Sequence, residues 1–512
     1  MKVISNHYVF EYNDPEYLKT FIPDVREAVI QGKSYVAVPH KLEAAQVLNN
    51  LGIPALSPIE YAYSWPGAFK PYEHQKKTAG FATLNKRCYI NNGLGSGKSV
   101  SVLWAADFLM KHGYIKKCLI VSPLSTLDVV WGKELFVHFP HRSYTVLHGA
   151  KQKRRELLAQ DKDFYIINHH GIALLEDDLL KRTDIDLIIV DELSCFRSHK
   201  TTTLWKPLKK LVSRNIWVWG MTGSPTPNAP TDAFAQIKLI TPEKYNGSFT
   251  RFKMDTMFQV SAFRYLPRNN AATIVHSLMQ PAIRYALREC VDLPETIYSS
   301  RHAELSPEQA KRFGELQKEA VTTINGNAVT AVNAAVLINK LVQISTGCVY
   351  SADGEVNEID CSPRLAVLKE CIDECDEKVI VFVSLTGALH SLYNKLKKDY
   401  SCAVLDGSTS MGKRTEIFNA FQRDENPRVL LANAGAMSHG ITLTAASTII
   451  WFAPDYNNDT YCQANGRIVR PGQKNITNII HISSTPVEDR VYEALRLKNK
   501  LQDAVLSLFK NA

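Results

Sequence analysis

Two arginines near the end of the chain lie three positions apart in the segment QANGRIVRPGQ, residues 463–473. Gln463, Arg467 and Arg470 recur at spacings near one helical turn, so a single helix would point all three side chains in the same direction. Two guanidinium groups side by side repel each other unless an anion lies between them. The segment therefore predicts a site for an anion, whose identity must come from other segments.

A glycine-rich segment, NNGLGSGKSV, follows the apolar run RCYI and precedes a helical pattern. Its glycines allow the backbone to close around phosphate groups, so that N–H groups and the helix N-terminus face the anion. In such a loop Lys98 reaches the β- and γ-phosphates, and the hydroxyl of Ser99 binds Mg²⁺. The strict pattern of this loop fails at its first position, where Asn92 stands, which leaves a plain glycine-rich turn as the alternative. The predicted nucleotide-binding residues are Gly93, Gly95, Ser96, Gly97, Lys98 and Ser99.

A pair of carboxylates, Asp191 and Glu192, ends the apolar run DLIIVDE. Side chains at the carboxyl end of a strand lie where open α/β sheets bind ligands. Asp191 would hold Mg²⁺, and Glu192 would orient or deprotonate an attacking water. The alternative is a solvated turn. With the phosphate loop, the pair indicates that the anion is the γ-phosphate of ATP, which Arg467 and Arg470 would meet as arginine fingers; a solvated basic helix is the alternative for them.

The 512 residues are too many for one core and predict roughly two to four domains. Hydrophobic residues make up 45% and charged residues 22%, as in ordinary globular proteins. The net charge of +9 is compatible with a nucleic-acid partner without establishing one. Ten scattered cysteines without a C-x-x-C pair argue against zinc and for a reduced, cytoplasmic chain. We see neither a signal peptide nor an apolar run that would span a membrane.

Short apolar runs alternate with helical patterns in two parts of the chain, which predicts two α/β lobes with parallel sheets. Examples are CLIVSPL and DLIIVDE in the first part and KVIVFVS and STIIWFAP in the second. The predicted organisation is a small N-terminal α/β unit at residues 1–65, a first lobe at 66–250, a mostly helical inter-lobe region at 251–365 and a second lobe at 366–512.

The order of these motifs resembles that of the superfamily II helicases, specifically the Swi/Snf-type ATPases, and looks most like their compact bacteriophage-encoded versions. The similar segments include PYEHQ, LIVSPLSTLDVVW, DELSCFRSHKTTT, GMTGSPTPN, ALRECVDLP, LLANAGAMSHGITLTAA and QANGRIVRPGQ. The resemblance implies tandem RecA-like lobes and Gln75 as the adenine-binding residue. It assigns the coupling of hydrolysis to movement to Thr222, Gly223 and Ser224. Two positions depart from the family pattern: Ser194 replaces a histidine, and Thr442 replaces an asparagine.

The resemblance also implies that DNA is bound across both lobes through its phosphates, which needs hydroxyls, amides and basic side chains rather than base-reading groups. We expect a translocase that uses ATP and Mg²⁺ on double-stranded DNA of any sequence, in the cytoplasm (of the host cell, if phage-encoded). The alternatives are a strand-separating or branch-migrating helicase, the motor subunit of a nuclease complex with a recombination or replication partner, and a non-catalytic DNA-binding scaffold. The candidate DNA contacts, each of which could instead be a turn cap, are Ser125, Thr126, Asn168, Ser408 and Thr442.

Overall fold

The computed structural model describes residues 1–200, 203–261, 264–290, 292–326, 331–351, 353, 355–437 and 442–507. Parts of three motif segments, residues 201–202, 291 and 438–441, lie outside the described residues. No helix of the described ranges is both long and apolar enough to cross a membrane.

The N-terminal unit is an antiparallel sheet with the strand order β1-β2-β4-β3, packed against helices. Its elements are β1 (Lys2–Ile4), β2 (His7–Glu11), α1 (Pro15–Phe21), β3 (Arg26–Ile30), β4 (Lys33–Pro39) and α2 (Leu42–Asn50). A hydrophobic core of its own includes Tyr8, Leu18 and Val38. The unit contacts the helix Glu73–Leu84 of the first lobe, because the Gln46 amide donates to the Thr83 carbonyl oxygen at 3.1 Å.

The first lobe contains a parallel sheet with the strand order β13-β5-β10-β9-β6-β8-β7. Alternate residues of its apolar strands enter two different cores: in the strand Ile185–Val190, Ile188 and Val190 lie in one core, and Leu187 and Ile189 in the other. Both faces of the sheet are therefore covered, as expected for near-continuous apolar runs. The elements are α3 (Ile59–Ala62), α4 (Glu73–Leu84), β5 (Arg87–Ile90), α5 (Lys98–Lys111), β6 (Lys117–Ser122), α6 (Lys133–His138), β7 (Tyr144–Val146), α7 (Lys151–Ala159), β8 (Phe164–Asn168), α8 (Gly171–Leu174), α9 (Glu176–Leu180), β9 (Ile185–Val190), α10 (Trp205–Val212), β10 (Trp217–Met221), α11 (Ala233–Ile240), α12 (Phe249–Thr256), β11 (Met257–Ser261), β12 (Arg264–Pro267), α13 (Ala271–Leu278) and β13 (Ala282–Ile283).

The second lobe contains another parallel sheet, with the strand order β14-β21-β20-β17-β19-β18. The two parallel sheets confirm the prediction of tandem α/β lobes. The elements are α14 (Leu287–Cys290), β14 (Thr296–His302), α15 (Pro307–Gly326), α16 (Ala331–Ser345), β15 (Cys348–Tyr350), β16 (Val356–Glu358), α17 (Ser362–Asp373), β17 (Lys378–Phe382), α18 (Thr386–Leu396), β18 (Cys402–Leu405), α19 (Met411–Arg423), β19 (Val429–Ala432), β20 (Ala446–Trp451), α20 (Asn458–Asn465), β21 (Thr477–Ser483) and α21 (Pro486–Ser507).

The region between the lobes, predicted as mostly helical over 251–365, holds strands as well as helices. Strand β13 pairs with β5 of the first sheet, and β14 pairs with β21 of the second. Neither strand has a clear sequence signal, because β13 has only two residues and β14, TIYSSRH, is largely polar and exposed. Helix α15 begins with a capping box, in which Ser306 N donates to Gln309 Oε1 at 3.0 Å and Gln309 N to Ser306 Oγ at 3.2 Å.

Candidate nucleotide site between the lobes

The glycine-rich segment forms a loop between β5 and the N-terminus of α5, at the carboxyl edge of the first sheet. Gly95 and Gly97 have φ angles of +80° and +77°, a left-handed backbone that glycine adopts without cost. A Cβ atom at Gly97 would also overlap the side-chain amide nitrogen of Gln75. The left-handed conformation therefore favours glycine at this position, and a larger residue would also displace the Gln75 amide. The loop presents the first turn of α5 to any bound anion.

Asn92, the residue that departs from the strict loop pattern, has a structural role. Its buried amide oxygen accepts from Tyr285 N at 2.9 Å, and its amide nitrogen donates to Thr78 Oγ1 at 2.8 Å. The carbonyl oxygens of Asn92 and Gly93 accept from Lys98 Nζ at 2.9 and 3.1 Å. The Asn92 side chain thus connects the loop to α4 and to the segment after β13. The backbone carbonyls of the loop bind the ammonium group of Lys98.

Gln75 lies against this loop, in the first turn of α4. Its Oε1 accepts from Tyr72 N at 3.0 Å, which caps the helix, and its Nε2 is 3.4 Å from the Ser96 carbonyl oxygen. His74 Nε2 contacts the same oxygen at 2.9 Å. The predicted adenine-binding residue is therefore adjacent to the loop, with its amide already hydrogen-bonded.

Asp191 follows β9, and its carboxylate is held by several donors. Oδ2 accepts from Ser122 Oγ and from the indole Nε1 of Trp131, both at 3.0 Å. Oδ1 accepts from the backbone N–H of Glu192 at 3.0 Å. This arrangement fixes the orientation of a carboxylate that lies between the strand ends of β6 and β9.

Glu192 adopts a left-handed conformation, with φ of 49°, which is uncommon for a non-glycine residue and often marks a functional site. Burial raises the pKa of its carboxyl, and Asp191 and Asp459 raise it further, while Lys98 and Arg467 lower it. Burial lowers the pKa of Lys98, whereas the two carboxylates of Asp191 and Glu192 raise it. The lysine and both carboxylates thus share one electrostatic site.

Three residues of this site were not predicted: Ser122, Trp131 and His169. His169 Nε2 contacts the Asp191 carbonyl oxygen at 2.9 Å, and burial lowers the pKa of the imidazole to about 4. A neutral histidine that directly follows β8 therefore contacts Asp191. Ser194, where the family has histidine, is fully buried, and its hydroxyl has no hydrogen-bond partner in the described part of the chain. The signal for His169 was its position directly after Asn168, which we interpreted as a DNA contact.

The three residues predicted to couple hydrolysis to movement follow β10, and Gly223 among them lies beside the phosphate loop. Thr222 Oγ1 accepts from Ser224 N at 3.0 Å. A Cβ atom at Gly223 would lie 3.4 Å from Leu94 Cδ2, and a Cβ at Gly466 would lie 3.3 Å from Leu94 Cδ1. Leu94 of the loop therefore lies between this segment and the second lobe.

The arginine segment lies on the boundary between the lobes, but not in one helix. Helix α20 ends at Asn465, so the prediction that a single helix carries Gln463, Arg467 and Arg470 was wrong. Gly466 is the C-cap, and Pro471 cannot continue a helix. Gln463 remains on the helix, where its amide donates to Asp459 Oδ1 at 3.3 Å.

Both arginines are buried after the helix end. Arg470 Nε donates to the Gly466 carbonyl oxygen at 2.7 Å and Nη1 to Thr442 Oγ1 at 3.4 Å. Its Cγ would lie 3.7 Å from a Cβ at Gly95, so it lies over the phosphate loop. Burial lowers the pKa of Arg467 to about 9 and that of Arg470 to about 10, so both stay charged at neutral pH.

The candidate DNA contacts are divided between the site and the surface. Thr126 is buried, with its hydroxyl 2.6 Å from Ser122 Oγ, and Thr442 accepts from Arg470. Asn168 Oδ1 accepts from Arg154 at 3.0 Å, and the exposed Ser408 donates to Asp406 at 2.7 Å. Ser125 is half-buried on the turn after β6. The structure thus brings Thr126 and Thr442 to the nucleotide site, and leaves Ser125 and Ser408 on turns and Asn168 at the end of β8.

Fold and site define a two-lobed α/β protein with a candidate nucleotide site at the lobe boundary. Two family models match the chain: an SNF2-related domain at residues 72–349 and a helicase conserved C-terminal domain at residues 363–472. The first match covers more than half of the 512 residues, so the chain belongs to the SNF2-related family. The family resemblance inferred from the motifs is confirmed.

Several relatives share the family. An uncharacterized ATP-dependent helicase of Mycoplasma genitalium is 24% identical over 80% of this chain and 39% of its own length. The ISWI chromatin-remodeling complex ATPase ISW2 of Saccharomyces cerevisiae is 23% identical over 85% of this chain and 39% of its own length. This chain therefore spans about two fifths of those relatives.

A relative of similar length comes from Acyrthosiphon pisum secondary endosymbiont phage 1, whose protein p41 is 23% identical over 86% of this chain and 99% of its own length. Among solved structures, the Sulfolobus solfataricus SWI2/SNF2 ATPase core in complex with dsDNA matches 87% of this chain and 95% of that chain. Its sequence identity is 20% and the TM-score is 0.42.

Proposed function

We propose that the protein is a DNA-stimulated ATPase that moves along double-stranded DNA without regard to sequence, using ATP and Mg²⁺. The observation that carries this proposal is the position of Arg470, which belongs to the second lobe and lies over the phosphate loop of the first. A site completed by both lobes responds to their relative movement, which is what a motor requires.

The residues at the loop fit a nucleotide and its metal. Lys98 is a half-buried cation among loop carbonyls, and the left-handed glycines open the backbone toward α5. The Ser99 hydroxyl and the Asp191 carboxylate are the oxygen donors that Mg²⁺ prefers. Lys98 and the first turn of α5 would hold the phosphates, Ser99 and Asp191 the metal, and Gln75 the adenine. Bound ATP would supply the phosphoryl group that is transferred to water.

The remaining site residues would act on the reaction directly. Glu192 would accept a proton from the attacking water or orient it, and Arg467 and Arg470 would stabilise the charge on the transferred group. Arginine fingers contribute about 10³–10⁵ in rate, so the second lobe would control turnover by its position. Gln463 would place Asp459, beside Glu192, through its side-chain hydrogen bond.

DNA as the partner is supported by the family and by the names of relatives, an ATP-dependent helicase and a chromatin-remodeling ATPase. The net charge of +9 is of the required sign. Ser125 and Ser408 lie on turns after β6 and β18, and Asn168 is the last residue of β8. At these carboxyl ends of the strands they would contact phosphates. No base-reading role is proposed for them.

The test is phosphate release measured without nucleic acid and with duplex DNA, single-stranded DNA, forked DNA and RNA. We expect duplex DNA to stimulate hydrolysis most, and Lys98→Ala to abolish the stimulated rate. A triplex-displacement assay would then detect movement without strand separation. Equal rates with and without DNA would contradict the proposal, and displacement of a base-paired strand would favour a strand-separating helicase.

A further inference from the structure

The connection between β6 and α6 has an uncommon backbone that reaches the catalytic carboxylates. A 3₁₀ turn, Leu124–Thr126, is followed directly by a π-helical turn, Leu127–Gly132. Single π-helical turns are rare and often lie at functional sites. We name residues 123–132 the β6–α6 connection.

The two sides of the β6–α6 connection face different surroundings. Leu124 is 52% exposed and Val129 46% exposed, and Ser125, a candidate phosphate contact, lies beside Leu124. Trp131 is fully buried in the first-lobe core. The connection therefore spans from the exposed surface beside Ser125 to the interior of the lobe.

Trp131 ends this path at the carboxylate of Asp191. Its indole Nε1 is 3.0 Å from Asp191 Oδ2 and 2.8 Å from Ser122 Oγ, and it can only donate. Ser122 Oγ is in turn 3.0 Å from the same carboxylate oxygen. The indole N–H and the serine hydroxyl together fix the orientation of the Asp191 carboxylate at Oδ2.

Thr126 connects the surface turn to this pair. Its hydroxyl lies 2.6 Å from Ser122 Oγ and 2.9 Å from the Pro123 carbonyl oxygen. A hydroxyl has one hydrogen to donate, so Ser122 can donate to Asp191 or to Thr126 but not to both. A rearrangement of the turn that reorients Thr126 therefore changes what Asp191 receives.

We propose that Trp131 is a positioning residue. Through it, the β6–α6 connection would fix the orientation of the metal-binding carboxylate of Asp191 when DNA contacts the turn at Ser125. This inference rests on the proposed function, because it takes Asp191 as a Mg²⁺ ligand and DNA as the partner. Loss of a hydrogen-bond partner of a metal ligand typically costs 10–100-fold in metal affinity or activity. Linkage requires that DNA and metal each strengthen the binding of the other by the same factor.

The experiment measures Mn²⁺ binding to the ADP-bound protein by electron paramagnetic resonance, with and without duplex DNA. Trp131→Phe removes the indole N–H and keeps an aromatic ring. We expect it to weaken Mn²⁺ binding by about 10–100-fold and to abolish the tightening that DNA produces in the wild type. Trp104→Phe is the matched control, because Trp104 is equally buried in the same lobe and donates its N–H to the Pro66 carbonyl oxygen at 2.7 Å, away from Asp191.

Ser122→Ala provides a second variant that disturbs the core less. It removes the hydroxyl between Thr126 and Asp191, so it should weaken Mn²⁺ binding in the same direction and reduce the DNA effect. Thermal unfolding of every variant separates a positioning role from general destabilisation. Unchanged Mn²⁺ affinity in both Trp131→Phe and Ser122→Ala, or an equal loss in Trp104→Phe, would overturn the inference.

Failure of the proposed function has a different signature, which is wild-type phosphate release that DNA does not stimulate. That result would overturn the DNA-dependent half of the inference as well. Weaker Mn²⁺ binding in Trp131→Phe, with Trp104→Phe unchanged, would still support the positioning of Asp191.

Discussion

Charged side chains of both signs lie together, buried or half-buried, where the lobes meet, and their pKa shifts have opposing causes. Burial lowers the pKa of Lys98 and raises that of Glu192, and each of the two partly offsets the shift of the other. An isolated buried charge costs several kcal/mol, so these groups are stable only as a set. Removing a charge therefore disturbs its neighbours, and a neutral residue of the same shape is the more informative substitution at the carboxylate.

The assigned roles predict different defects for Lys98 and Glu192. Lys98→Ala should weaken ATP binding and hydrolysis together, because the lysine would contact the phosphates in both states. Glu192→Gln should bind ATP nearly as the wild type does and block turnover, because Asp191 stays in place to hold the metal. Nucleotide-analogue affinity and kcat would be measured side by side. Lys111→Ala, at the exposed end of the same helix α5, is the control for loss of a positive charge. An equal loss of affinity in both variants would refute the assignment.

Among the elements, those with a strong sequence signal were predicted and those set by local backbone geometry were not. Apolar runs such as DLIIVDE form strands because both faces of each sheet are covered. The helical spacing of Gln463, Arg467 and Arg470 predicted one helix, but the helix ends before both arginines. Spacing alone takes no account of the helix-ending residues Gly466 and Pro471. The role of Trp131 was not predicted, because the residue lies in a π-helical turn. In such a turn, α-helical spacing does not place it beside Thr126.

The position of Arg470 in the turn after α20 predicts how its substitution will change ATP binding and DNA-stimulated turnover. Since Arg470 belongs to the second lobe, Arg470→Ala should leave ATP binding to the first lobe nearly intact. It should reduce DNA-stimulated kcat by roughly 10³-fold or more. Arg470→Lys should rescue poorly, because an ammonium cannot reproduce the planar fork that spans Gly466 O and Thr442 Oγ1.

Stimulated kcat with saturating duplex DNA would be compared for the wild type and both Arg470 variants. Lys474→Ala is the matched control, because Lys474 is an exposed basic residue just after the same turn. Near-normal stimulated turnover in Arg470→Ala would mean that the segment has only a structural role.

The lobes of the whole molecule touch at the phosphate loop, through Leu94 with Gly466 and through Gly95 with Pro471 and Arg470. Helix α21 of the second lobe also packs against α13 of the first. The contacts around the loop are the ones that a bound nucleotide would strengthen, because the loop and the arginines would both hold it. Under the proposed function, a bound nucleotide would therefore favour the arrangement in which the candidate DNA contacts of the two lobes act together.

This arrangement predicts that nucleotide changes the salt dependence of DNA binding. Each phosphate neutralised by the protein adds about 0.9 to the slope of log K against log salt for duplex DNA. If both lobes bind DNA only when they are closed, a non-hydrolysable ATP analogue should make the slope steeper. The increase should correspond to several additional phosphates neutralised by the protein. Arg470→Ala should lose most of that change while keeping the slope of the nucleotide-free state, since the link between nucleotide and second lobe is broken. Duplexes of equal length and unrelated sequence should give the same slopes, because phosphates rather than bases are contacted. Slopes that are identical with and without the analogue would show that lobe closure does not add DNA contacts, and would place the DNA grip in one lobe alone.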